Sequence, residues 1–178
     1  MLNRKWTLWH DKKWTDLREV GTFGTIVEFW QFFNNIKSVS SLPHKTNLRV
    51  FEHNVHPSRE DPKNSHETAG VWIVQFYKGS NIDDVWIDCV MDLIGENELM
   101  PFGILGVELN VRTRGCRIGF WCADEDAKLG EYLSTHCGSS VFEICFKRHI
   151  DVARSSSSFA VKPTIKYKPG RASKNITN

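Results

Sequence analysis

At 178 residues the chain suits one domain with its own core, and a net charge of +2 excludes a protein that coats nucleic acid along a broadly basic surface. The five cysteines are scattered, with no Cys-x-x-Cys pair to hold zinc, and no apolar run is long enough for a membrane span. We expect free thiols, no metal, and a soluble monomer in the cytoplasm, with no leader sequence before Trp6.

Seven tryptophans are more than core packing usually needs, so some should be contact surfaces. Residues 5–9, KWTLW, read as a first strand, followed by a polar loop from His10 to Lys13 that leads to Trp14. Thr25 to Glu28 form a capping box, in which hydroxyl and carboxylate answer orphan N–H groups and open a helix through Ile36. Phe29, Phe32, Phe33 and Ile36 form its core stripe, with Ile26 and Trp30 at i and i+4 beside it.

Leu48 to Phe51 reads as a short strand, and residues 52–70 as a polar, proline-punctuated connection of the length that often carries function. Val71 to Tyr77 is apolar enough for the middle of a sheet. A second helix is expected from Ile82 to Ile94, with aspartates in its first turn and Gly95 as its stop. Trp86, Val90 and Leu93 face inward, and Ile87 and Met91 pair off that stripe.

The stretch from Gly106 to Cys122 reads as a hairpin. Val107, Leu109, Val111, Ile118 and Phe120 face the core. Glu108, Asn110, Arg112, Arg117 and Trp121 face away. A turn centred on Arg114 and Gly115 sets Arg112 directly opposite Arg117. Like charges so placed cost about 0.2–1 kcal/mol, so they either hold an anion, for which guanidinium is suited, or stand in water on a solvated face. Trp121 on the same surface adds a flat ring for a base.

A third helix follows from Asp124 to His136, ended by Gly138. Val141 to Phe146 is a strand, residues 154–158 a serine-rich loop, and Val161 to Tyr167 an edge strand before a basic, disordered tail at 169–178. Many strands with interspersed helices and no βαβ alternation imply an α+β fold, a curved antiparallel sheet with helices on one face and the other open. No P-loop, G-x-S-x-G or H-E-x-x-H is present, and His53 and His56 have no partner at ligand spacing. A binding protein without enzymatic activity or cofactor is expected.

KWTLW, the helix segments TIVEFW and WIDCVMDLIGE, and the hairpin segment NVRTRGCRIGFW together resemble the translation initiation factor 4E family, which binds the mRNA cap. The resemblance covers nearly the whole chain. It implies a cupped antiparallel sheet of about eight strands with three α-helices on the convex face, within a cap-binding domain at 1–168.

By that resemblance the concave side holds the 7-methylguanosine cap. Trp14 stacks on the base, Glu60 reads the guanine edge, Arg112 and Arg117 bind phosphates beside Asn110, Trp121 lies beside the methyl group, and Arg154 reaches phosphates or the next nucleotide. A carboxylate accepts both donors of guanine's Watson–Crick edge, and a methylated, cationic base is drawn to a tryptophan face.

The second stacking tryptophan of the family has no counterpart. Arg59 stands there, within Pro57-Ser58-Arg59-Glu60-Asp61. Three arrangements fit: Arg59 turns to the phosphates while His56, His66 or Phe159 stacks; Trp14 holds one face alone; or cap binding is weakened. One lost stacking face costs roughly 1–3 kcal/mol.

On the convex side the resemblance makes Leu2, Ile26, Trp30, Ile87, Asp88, Met91 and Gly95 the docking surface for a helical peptide of a 4G-type scaffold or a repressor binding protein. Recruitment of that scaffold for translation initiation is the leading expectation. The alternative is a cap-weak interaction protein or translational repressor that uses the convex groove.

Overall fold

The computed structural model describes residues 1–11, 16–95, 102–137, 140–155 and 160–167. Trp14, Gly138, Phe159 and the tail at 169–178 lie outside the described residues. Among the described residues eight strands form one antiparallel sheet: β1 (Trp6–Asp11), β2 (Arg18–Phe23), β3 (Asn47–Glu52), β4 (Gly70–Phe76), β5 (Ile104–Arg112), β6 (Gly115–Cys122), β7 (Val141–Arg148) and β8 (Ile165–Tyr167), in the spatial order β2-β1-β3-β5-β6-β4-β7-β8.

Three helices pack on one face: α1 (Ile26–Phe33), α2 (Ile82–Ile94) and α3 (Ala127–His136). Alternation within the strands decides what meets them. Trp72 and Val74 of β4, Val107 and Leu109 of β5, and Ile118 and Phe120 of β6 join Phe29, Trp86, Val90, Leu93, Leu129 and Leu133 in one core. The expected capping box is formed, with the Glu28 amide donating to Thr25 Oγ1 at 3.1 Å and the Thr25 amide donating to Glu28 at 3.1 Å. The second helix begins and ends at the expected residues, with Gly95 as its cap.

The opposite face carries a second, smaller cluster, Phe51, Val55 and Trp121 with Trp9, Val71 and Leu105 against it. A fourth helix unforeseen in the sequence, α4 (His149–Ala153), is stationed there, its His149 ring 4.3 Å from the Trp121 ring. The edge strand β2 was also unforeseen; three of its six residues are exposed, leaving no buried alternation to read.

The hairpin register differs from expectation. Arg112 pairs with Gly115 and Asn110 with Arg117, so the turn is centred on Thr113 and Arg114, and the two arginines are diagonal neighbours rather than directly opposite. The cause is Gly115. Its φ of 138° and a Cβ position 2.4 Å from the Phe76 carbonyl oxygen reserve it for the first strand position after the turn, where no other residue fits easily.

Candidate functional site

The side of β4, β5, β6 and β7 opposite α1, α2 and α3 forms the floor of a cleft of about 460 Å³, closed at the sides by Arg59, by Val152 of α4 and by residues 160–163 and 166. Its floor is set by small and apolar residues at alternate strand positions, Val71, Ile73 and Gly119. Six basic side chains line it, Arg59, Arg112, Arg117, Lys147, Lys162 and Lys166, against two carboxylates, Glu108 and Glu143.

Both carboxylates are already engaged. Glu143 pairs with Lys166 and accepts from Gln75 at 2.6 Å. Glu108 is buried, accepts from Arg49 Nε at 3.1 Å and is bonded by Asn110. Arg49 is fully buried and also pairs with Asp11, which in turn accepts from Asn47. Charges in a protein interior survive only when so paired. This network fixes Glu108 and Asn110 from below, and Asn47 Oδ1 accepts from Asn110 at 3.0 Å and from Arg112 at 2.8 Å. Arg112 is thus aimed by its own strand neighbours. Its pKa is pulled down by burial first and by Arg117 among its neighbours, while Glu108 and Asp11 oppose the shift.

Arg59 reaches the same cleft from the β3–β4 connection. Buried Asn64 pins that loop by donating to the carbonyls of His56 at 3.0 Å and Ser58 at 2.8 Å, and Asp61 accepts from the His56 amide at 2.8 Å. Burial lowers the Arg59 pKa, with Glu108 and Glu60 acting against the shift. Glu60 itself is exposed and does not line the cleft.

Of the other residues singled out from sequence, Asn110, Arg112 and Arg117 meet in the cleft with Arg59. Trp121 does lie on the face opposite α1, α2 and α3, but it is not open: it is 2% exposed, with Phe51 edge-on at 5.3 Å and His149 above. His149 is 2% exposed, neither ring nitrogen has a hydrogen-bond partner among the described residues, and burial followed by the charge of Arg59 pushes its pKa down to about 3. Arg154 caps α4 through its amide and is exposed, away from the cleft lining. His56 packs edge-on against Trp9 at 5.3 Å. Arg49, Asp11, Lys147, Lys162 and Lys166 were not anticipated; the signal available for the last three was only their basic character near the C-terminus.

On the other side, Ile26 and Trp30 are 41% and 36% exposed, Ile87 and Met91 are half-buried, and Asp88 and Gly95 are exposed. Leu2 is tied to the start of α1 by its amide, which donates to the Gly24 carbonyl at 2.8 Å. A groove of about 220 Å³ is lined by Phe33, Ile36 and Lys37 at and just past the end of α1 and by Asp83, Asp84, Trp86 and Ile87 of α2; of the residues expected to dock a partner, only Ile87 lines it.

Residues 1–164 match the protein family described as Eukaryotic initiation factor 4E. The chain belongs to that family. It is 36% identical over 172 residues to eukaryotic translation initiation factor 4E-2 of Schizosaccharomyces pombe, covering 88% of this chain and 70% of the relative. It is 37% identical over 135 residues to the Saccharomyces cerevisiae factor 4E, covering 70% of this chain and 62% of the relative. The solved structure of Ascaris suum eIF4E-3 with an m2,2,7G cap superposes with a TM-score of 0.76 at 27% identity, covering 93% of this chain and 96% of that one. A complex of Caenorhabditis elegans eIF4E-3 with the 4E-binding protein Mextli and a cap analog gives 0.77 at 25% identity, covering 93% and 98%. As a 4E family member the chain therefore keeps the sheet of its relatives, and the cationic cleft lies on the sheet face opposite α1, α2 and α3.

Proposed function

We propose that this protein binds the 7-methylguanosine cap of mRNA in the cleft and a 4G-type scaffold or 4E-binding repressor on the convex groove, acting in translation initiation in the cytoplasm without catalysing a reaction. The single observation that carries this reading is the cluster of six basic side chains on the sheet face opposite α1, α2 and α3, where the two carboxylates are already engaged. Such a lining attracts a polyphosphate, and Arg112 and Arg117 present forked donors for it.

In this reading Trp14 stacks on the base and Asn110 assists the phosphate pair, while three residues act only after local movement: Glu60 turns into the cleft to read the guanine edge, the His149 ring swings off Trp121 so that Trp121 supports the methyl group, and Arg154 reaches the chain beyond. Leu2, Ile26, Trp30, Ile87, Asp88, Met91 and Gly95 receive the partner helix. Tryptophan fluorescence titrated with 7-methyl-GTP and with GTP tests the cap assignment. Preference for the methylated form supports it; equal affinity overturns it.

A second reading is favoured by Arg59, whose guanidinium adds positive charge to the cleft that would take a cationic base. Here the protein binds cap weakly and acts chiefly through its partner groove. Arg59→Trp should then raise 7-methyl-GTP affinity about tenfold or more, as expected for a restored stacking face. Trp30→Ala should abolish partner-peptide binding while Glu60→Ala leaves translational repression intact; the reverse pattern rejects the second reading.

A further inference from the structure

Two aromatic rings stand exposed just past the Arg117 end of the cleft. Tyr77 is 58% exposed and Phe142 39%, and their ring centroids lie 5.0 Å apart with planes tilted by 45°. Strand pairing explains why they are not buried. β4 and β7 pair Gln75 with Glu143 but Phe76 with Val141, which leaves Phe142 as an unmatched bulge residue. Val141 and Ile144 both remain in the core, so the bulge turns Phe142 outward. Phe76 is 1% exposed in that same core, and Tyr77, next along the chain, leaves on the opposite, cleft-bearing side.

The position of the pair is fixed by register. Gln75 lines the cleft and lies opposite both Arg117 and Glu143, and Tyr77 follows it two residues on, about 7 Å along the strand. Two cations stand beside the pair. Lys78 and Arg114 are both exposed, and the turn bearing Arg114 is held here because Gly115 packs on the Phe76 and Lys78 backbone. An aromatic surface with a cationic rim, continuous with a phosphate-binding cleft, has the chemistry of a single-strand nucleic-acid platform. A protein-facing patch gains nothing from that continuity.

We propose that Tyr77 and Phe142 form a stacking platform for the first nucleotides of the RNA that leaves the cleft at its Arg117 end. The proposal rests on the cap-binding reading and extends it. Base stacking on such rings is tolerant of sequence, so the platform tightens the hold on capped RNA without selecting among messages.

The test compares 7-methyl-GTP with a capped ten-nucleotide RNA lacking secondary structure, for the wild-type chain, Tyr77→Phe, and the double variant Tyr77→Ala with Phe142→Ala. Both positions are exposed enough for truncation to leave the fold intact, which circular dichroism checks. The wild-type chain is expected to bind the capped RNA about tenfold more tightly than the nucleotide, Tyr77→Phe to keep that gain, and the double variant to lose it while binding 7-methyl-GTP unchanged. A wild-type chain with equal affinity for both ligands, or a double variant that retains the gain, overturns the platform alone and leaves the patch to a protein partner. A wild-type chain that binds neither ligand removes the cap reading, and the platform with it.

Discussion

Trp72 and Trp121 sit on neighbouring strands, point to opposite faces of one sheet, and are almost equally inaccessible at 0% and 2% exposure. Their surroundings differ in kind. Trp72 is wedged among Phe146, Tyr167 and the backbone of α3, so close that a Cβ on Gly130 would sit 2.3 Å from its ring. Trp121 is covered instead by Phe51 and by one neutral histidine on a helix of five residues. The helix-backed face is held by many apolar contacts that no single proton can change. The cleft face is held by charges and a titratable ring, so it can be perturbed separately.

The largest way to break this contrast is Arg49→Met. It leaves Asp11 and Glu108 buried without their shared cation, and a loss of roughly 3–5 kcal/mol in chemical denaturation is expected. Gly130→Ala tests the other face. An extra methyl between α3 and the Trp72 ring forces repacking, with an expected cost of about 1–3 kcal/mol and no change in ligand affinity.

A smaller effect separates the two tryptophans by pH. His149 has a folded pKa of about 3 against 6.5 when unfolded, so between these values the unfolded chain binds more protons and stability falls as pH drops. About 1.4 kcal/mol should be lost by about pH 5.5 through this group. His149→Phe keeps a ring over Trp121 with no proton to gain, and its acid limb should be correspondingly flatter in urea titrations across that range. An unchanged limb would mean that His149 is accessible to protons in the folded chain.

How much of this was legible beforehand follows the same division. The mostly apolar run of β4 and the helix bounded by acidic residues and Gly95 could be read directly, because an apolar run or a helical period reports burial against a regular partner. The cleft-face arrangement was less legible. Arg49 within LRVFE looks like a solvated position; its burial depends on Asp11 and Glu108 arriving from two other strands. Trp121 looked open because the helix that carries His149 is too short to show a period. Arg112 and Arg117 were placed on the right face but two residues out of register, since Gly115 serves the strand after the turn rather than the turn itself. A binding cleft made of polar residues from many strands leaves its trace in tertiary contacts.

The central claim is that Arg112 and Arg117 hold a polyphosphate in the cleft. The most direct measurement is calorimetric titration of 7-methyl-GTP into wild-type protein and into Arg112→Gln with Arg117→Gln, at low and high salt. The double variant should lose at least a hundredfold in affinity, as two charge-assisted contacts of about 1.5–3 kcal/mol each would give, and show a shallower salt dependence, the other four cations of the cleft keeping the remainder, with thermal stability retained. Equal affinity and an equal salt slope in the two proteins would contradict it.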